Sequence, residues 1–563
     1  MALAASGVAT NTIYSQTLTA TMPDGTTTRS AEGIAKFYKD IGTNEDGGMT
    51  QKAIKTYVES VKATIEEDIA TAISNIDLPT DIVTNLGESN HGNLVVIDED
   101  GNITSGTVSE EELIEALILS GGYTARDAVG LEVDYDNKSF VRTQQAIGKS
   151  MGENFDSYLM YGGRRRCNVA DDGTITAFYG DNNYAEDGSN GQVMVYQPKF
   201  YYQRAPITTS NNKVGKTIIR DSFAISYVAQ SGFKIHPIFT TPEGEELDYV
   251  LFSAYEGGLY DVSANSYAIG TASNVDFNND KLSSVSGVKP ITGSSNLNLQ
   301  KAEQLANNRG AGWHIYNLQA ESANQMLEII EFGTMNGQAA LGKGISDLPA
   351  QSTYNQAAIT GSTASLGNAS GAAESTTIEV NGSISTETDD GKVSISYRGV
   401  ENPWGNVWQM INGVTIYGNT ASNGGVPYIC KNFNYSYAAL SNNYESAGFS
   451  LPNENGWISA LGYGSKKYDW ILMPAESSNS ANSALPIGDN GWFDSNLTGI
   501  RMVVQGGGWS FEESDGPFYY GCDKQPNDSS YRSYGARLLY IPTKNEIYSA
   551  NIVKWQQEMN IGG

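Results

Sequence analysis

The chain has 563 residues, of which 39% are apolar and 17% charged, with 61 glycines in no three-residue period. That balance excludes a coiled-coil rod along the whole length, a collagen helix and an integral membrane protein built on long apolar runs. Lys and Arg number 35 against 63 Asp and Glu, a net charge of −28, and so acidic a surface repels nucleic acid and anionic lipid. Its 33 tyrosines, with abundant Gly and Asn and few charges, read as an extracellular or particle-borne β-rich protein.

Residues 1–48 combine Thr-rich extended sequence, a turn at Met22–Thr26, a short helical stretch around Ala31–Ile41 and a breaker at Asn44–Gly48. They lack the apolar content for a core of their own, so they are expected to be frayed or ordered against something else. Over 49–77, Ile54, Val58, Val61, Ile65, Ile69, Ile73 and Ile76 recur at steps of three and four. The spacing predicts a helix capped by Thr50 with a narrow, heptad-like seam. Its turn-rich flanks favour a short oligomeric coiled coil over a surface helix packed on its own domain. The β-branched seam favours three strands over two.

Residues 78–124 predict a small connecting module. Strand, turn and strand run through Asn93–Ile97, Asp98–Asn102 and Ile103–Thr104, and a helix opens on the capping box of Ser109 and Glu112. The Asp cluster at 98–102 has its glycine too early for a calcium loop, so a hairpin turn is expected. Residues 125–563 show short strands, Gly/Asn/Asp turns and all eight tryptophans, and read as one large β-rich domain. Its clearest helix is 319–332, with Ala320, Ala323, Met326, Leu327 and Ile330 as the buried stripe. Residues 351–390, rich in small polar residues, are expected to be a surface excursion. The fold class expected is α+β and β-rich.

Motifs for chemistry are sparse. Gly148, Lys149 and Ser150 lack the upstream glycine of a phosphate loop, since position 143 is Thr143. The basic run Arg164–Arg166 is expected to make internal carboxylate pairs. His91, His236 and His314 are isolated, and no nucleophile elbow occurs. No catalytic residue, metal or cofactor is therefore expected, and a binding surface is preferred to an enzyme. Cys167, Cys430 and Cys522 form no CxxC pair; three buried free thiols are expected, with a Cys430–Cys522 bridge as the alternative. The N-terminus lacks the basic and apolar regions of a leader, so synthesis and folding in a cytoplasm are expected, even if the protein acts outside a cell.

Eight blocks follow one another through the large domain: Val193–Tyr202, Gly232–Pro237, Ala254–Gly257, Ser286–Pro290, Arg309–Trp313, Arg398–Trp408, Gly506–Trp509 and Gly535–Leu538. In these blocks the chain, over roughly 125–545, resembles lectin-like proteins of phage tails. The resemblance implies a C-type-lectin-like domain, the fold shared with formylglycine-generating enzymes and with variable proteins of diversity-generating retroelements. The run Glu401–Trp408 and the pair Gly506–Trp509 and Gly535–Leu538 are its most specific parts. Trp404 and Trp408, four apart, suit a core anchor, and Gly506–Gly508 and Gly535 let strands pass close to neighbouring backbone. Trp404, Trp408 and Trp509 are thus expected to be scaffold.

Between the last two blocks, Ser510–Tyr534 is crowded with Tyr, Ser, Asp and Phe, the composition of antibody loops. In the family this is the position of the ligand-facing, often hypervariable segment. Ser510, Phe511, Asp515, Tyr519, Tyr520, Asp523, Asn527 and Tyr531 are the candidate ligand contacts, with side chains expected to face outward; ordinary solvated loops are the alternative. Many residues here are those an Asn codon yields when its adenines mutate, but Glu512, Glu513, Lys524 and Gln525 are not. The resemblance implies a tail-fibre or tail-tip protein of a virion. Residues 1–48 would attach to other tail or baseplate proteins, 49–77 would form a homotrimer, and 125–563 would bind a host-surface glycan or protein, with no nucleic-acid partner and no membrane insertion. Two alternatives stand beside it. One is a structural tail or baseplate decoration. The other is an enzyme like the formylglycine-generating enzymes, for whose redox cysteine pair only Cys430 and Cys522 are placed in the right lobe.

Overall fold

In the computed structural model, residues 1–125 and 126–563 form two compact units. The structure describes residues 128–350, 354–380, 382–418, 424–479, 487–493, 499–528 and 531–543, together with four short strands of the first unit. In that unit Leu18–Thr19 pairs with Thr28–Arg29. Val95–Ile97 pairs antiparallel with Ile103–Ser105, Val96 opposite Thr104, and the turn expected at 98–102 lies outside the described residues. The expected helix of 49–77 and the helix expected after Ser109 lie outside the described residues.

The large unit is β-rich with few helices. One six-stranded sheet runs in the order Trp313–Ile315, Leu538–Tyr540, Tyr249–Ser253, Gln192–Pro198, Arg165–Val169 and Ile175–Phe178, every neighbouring pair antiparallel. Its middle strands carry unbroken buried runs rather than alternation because both faces are covered. A second, larger sheet includes Lys216–Ser226, Gly456–Tyr463, Asn490–Trp492, Gly516–Gly521, Arg501–Gly506 and Trp408–Tyr417 in that spatial order. Among the described residues no helix is long and apolar enough to cross a membrane.

The helix Leu318–Phe332 begins where the Asn317 side chain accepts the Ala320 N–H at 2.8 Å and ends at Gly333, whose φ of 68° suits a residue without a side chain. The expected stripe is buried, but so is most of the other side, including Glu321, Asn324, Gln325, Glu328 and Glu331. The helix is a core element rather than an amphipathic cover, and part of its polar side is satisfied by distant groups. Glu331 takes a two-pronged bond from Arg398, at 2.7 Å to each oxygen, and another from Tyr397. Gln325 donates to the Pro517 carbonyl and the Tyr520 hydroxyl.

The resemblance blocks converge in space. Glu256, on the 254–257 block, accepts from Asn402, Asn406 and Gln409 side chains and from the Val407 N–H. Arg537 donates to the Glu401 and Asn402 carbonyls. His236 lies against Phe200, Tyr202 and Trp470, and burial pushes its pKa down to about 3. These residues are joints of one framework.

Two expectations are corrected here. Among the described residues, the stretch 351–390 is continuously exposed mainly around 382–390, whereas Ala357, Ala358, Thr360, Thr363, Thr376 and Ile378 are buried. Small side chains fit where large ones would not, and Thr363 binds both Arg166 and Glu401. In the basic run, Arg166 does pair with Glu186, whereas Arg164 is buried against Asn324 and the rings of Phe252 and Tyr397. All three cysteines are free and buried.

Candidate functional site

The segment after Gly506 is built from the middle outward. Gly516–Gly521 is an interior strand: it pairs antiparallel with Arg501–Gly506 and parallel with Asn490–Trp492. Alternation sends Phe518 and Tyr520 into the main core and Tyr519 into the second, beside Trp408. The turn into this strand depends on glycine. Gly507 has a φ of 85°, and a Cβ there would lie 1.7 Å from an Asp515 oxygen that accepts the Gly508 N–H. Gln338 fastens the loop by donating to the Glu512 and Asp515 carbonyls.

This placement corrects the outward-facing expectation for three candidates. Tyr519 and Tyr520 are 1% and 0% exposed, and Asp515 is fully buried, because neighbours flank the strand on both sides. Burial pushes the Asp515 carboxyl well above the usual carboxylate range and the Cys522 thiol up to about 12. The scaffold expectation holds: Trp404, Trp408 and Trp509 are buried, and the Trp404 indole donates to the Gly342 carbonyl at 3.1 Å.

The two arms flanking the strand reach solvent. Phe511, Asp523 and Tyr531 are half-buried, Ser510 likewise, and Asn527 is exposed. Their rings stand on a buried aromatic base. The Trp408 ring lies 4.4 Å from Tyr519, 5.5 Å from Phe511 and 6.2 Å from Tyr534, centre to centre, and Tyr531 stacks on Tyr534 at 4.7 Å. Lys524 lies over the Tyr531 ring and pairs with Asp523. Beside these, Trp492 is 41% exposed while its indole N–H donates to the Tyr519 hydroxyl at 2.7 Å.

Trp492 is the residue that sequence reasoning missed. It stands outside Ser510–Tyr534, and its neighbours Asn490 and Gly491 read as an ordinary turn; only strand pairing brings it to Gly521. Tyr437 joins in the same way, through a bond from the Asn527 side chain to its carbonyl. What the arrangement offers chemically is flat apolar ring surface, held at one end by a hydrogen bond or a stacked partner, next to short amide and carboxylate side chains. Among the described residues no cluster of three or more His, Cys, Asp or Glu is placed to hold a metal ion.

No family model matches the chain, and no curated protein matches it. Among solved structures it is similar to variants of a Major Tropism Determinant. The P3c variant is 14% identical, over 67% of this chain and 71% of that one, with a TM-score of 0.23. The U1 variant is 13% identical over 67% and 72%, and the M1 variant 12% identical over 74% and 81%, each again with a TM-score of 0.23.

Proposed function

We propose that this chain is a receptor-binding protein of a phage tail that recognises a host-surface glycan or protein, without catalysis, through the arms of Ser510–Tyr534 and Trp492. The observation that carries the reading is the aromatic face itself. Trp492 is 41% exposed, and the half-buried Phe511 and Tyr531 lie at the surface against Trp408 and Tyr534, while Tyr519 holds the Trp492 indole. Rigid rings give contact area at little entropic cost, and Asp523 and Asn527 beside them suit the hydroxyl groups of a sugar or the edge of a protein epitope.

The rest of the reading follows from the sequence. Residues 1–48 attach the chain to other tail or baseplate proteins, the helix of 49–77 makes it a homotrimer, and three linked sites multiply a weak affinity. Light scattering on the full chain is expected to report a trimer, lost when residues 1–77 are removed. The function is tested by adsorption of the purified full chain to host cells and to a glycan array. Saturable binding that Trp492→Ala weakens supports it. Adsorption that this variant leaves unchanged overturns it.

A further inference from the structure

The Trp492 ring is held in one orientation, and its polar edge is already engaged. Its strand, Asn490–Trp492, pairs in parallel with Gly516–Gly521, which sets Trp492 opposite Gly521. The Cys522 N–H extends this pairing by donating to the Trp492 carbonyl at 2.8 Å. The indole N–H donates to the hydroxyl of Tyr519, itself 1% exposed. The side chain therefore meets a ligand with its ring face alone. It has no donor left for a carboxylate, a phosphate or a carbonyl oxygen.

The charges nearby do not favour an anion either. Ser510–Tyr534 carries five acidic side chains against two basic ones, Lys524 and Arg532, in a chain whose net charge is −28. The Lys524 ammonium pairs with Asp523 and stands 5.1 Å from the centre of the Tyr531 ring. A ligand bearing negative charge approaches a surface of its own sign.

The open ring area is small. A standard protein interface covers about 800 Å² on each partner around several aromatic or arginine anchors. On this face Trp492 alone is as much as 41% exposed, which is about 100 Å² of ring surface, while Phe511 and Tyr531 are half-buried. That is the footprint of one sugar ring. The negative π face of an indole attracts the C–H side of a pyranose. Asp523, two residues beyond Gly521, is a short acceptor for hydroxyl groups.

We infer that the face takes an uncharged glycan, one pyranose lying flat on Trp492 with its hydroxyls donating to Asp523. This rests on the receptor-binding reading and narrows its ligand from glycan or protein to neutral glycan.

The test measures adsorption of the purified full chain and of Trp492→Ala to host cells, before and after periodate cleaves the vicinal diols of surface sugars. The bound members of a glycan array are then compared with the same chains capped by sialic acid. Periodate is expected to remove the Trp492-dependent part of adsorption, a loss of roughly tenfold or more, and the acidic cap to weaken array binding by roughly tenfold. Adsorption that still depends on Trp492 but survives periodate unchanged means a protein receptor; it overturns this inference and leaves the receptor-binding reading standing. Array binding that the acidic cap strengthens overturns it as well. Adsorption to untreated cells that Trp492→Ala leaves unchanged overturns the receptor-binding reading, and this inference with it.

Discussion

The strand Gly516–Gly521 and the arms on either side of it both carry aromatic residues, and those residues have opposite fates. Phe518, Tyr519 and Tyr520 are buried, while Phe511 and Tyr531, a few residues away, stay half-open. The difference is pairing. The strand has a hydrogen-bonded neighbour along each edge, whereas Phe511 and Tyr531 lie outside any strand. Aromatic content alone therefore does not mark a binding residue; what matters is whether the backbone carrying it lies inside or beyond the sheet.

The largest effect that would sharpen this contrast is expected at the base. Trp408 is 2% exposed and touches Phe511, Tyr519 and Tyr534. Trp408→Ala is expected to cost about 3–5 kcal/mol of stability. Denaturant unfolding measures it, and a loss under 1 kcal/mol would mean the base does not support the face.

A second effect separates core from arms by pH. Glu321 rises from an unfolded value near 4.5 to about 8 on burial. Its contribution to stability is then fully present below about 4.5 and is lost as pH rises through about 8. Glu321→Gln is expected to flatten the decline in melting temperature between pH 5 and 9 and to leave adsorption per folded molecule unchanged; a slope identical to that of the parent chain would contradict the assignment.

A third, smaller effect belongs to the rim. Asn527 is exposed, and among the described residues its contacts are long, its side chain to the Tyr437 carbonyl at 3.5 Å and its carbonyl to the Asn298 side chain at 3.5 Å. Asn527→Ala is expected to change adsorption by under about 1 kcal/mol, as rim positions do, with no change in melting. A larger loss in a titration of cell binding would move the centre of the face toward Tyr437.

How much was legible in the sequence follows the same division. The helix Leu318–Phe332 and its apolar stripe can be read from spacing, to within one residue at its start. The joints at Trp404, Trp408, Glu256 and Arg537 lie in the blocks that carry the resemblance. The burial of Glu331 could not be read, because Arg398 and Tyr397, which hold it, are some 66 residues away along the chain. Nor could the burial of Tyr519 and Tyr520, since their segment reads as loop until Asn490–Trp492 and Arg501–Gly506 close on it. Trp492 was hidden for the complementary reason: it enters the face through a strand pairing that no local pattern announces.

The central claim is that the arms and Trp492 bind while the strand between them supports. Its most direct test is a paired measurement on Trp492→Ala: host-cell adsorption and thermal unfolding of the same preparation. Removing the indole is expected to weaken adsorption by about 1–3 kcal/mol, roughly tenfold to a hundredfold, because binding energy concentrates in a few aromatic anchors. Melting should stay close to that of the parent chain, since Trp492 is 41% exposed. Full adsorption in the folded variant, or a large fall in melting temperature, would contradict the account.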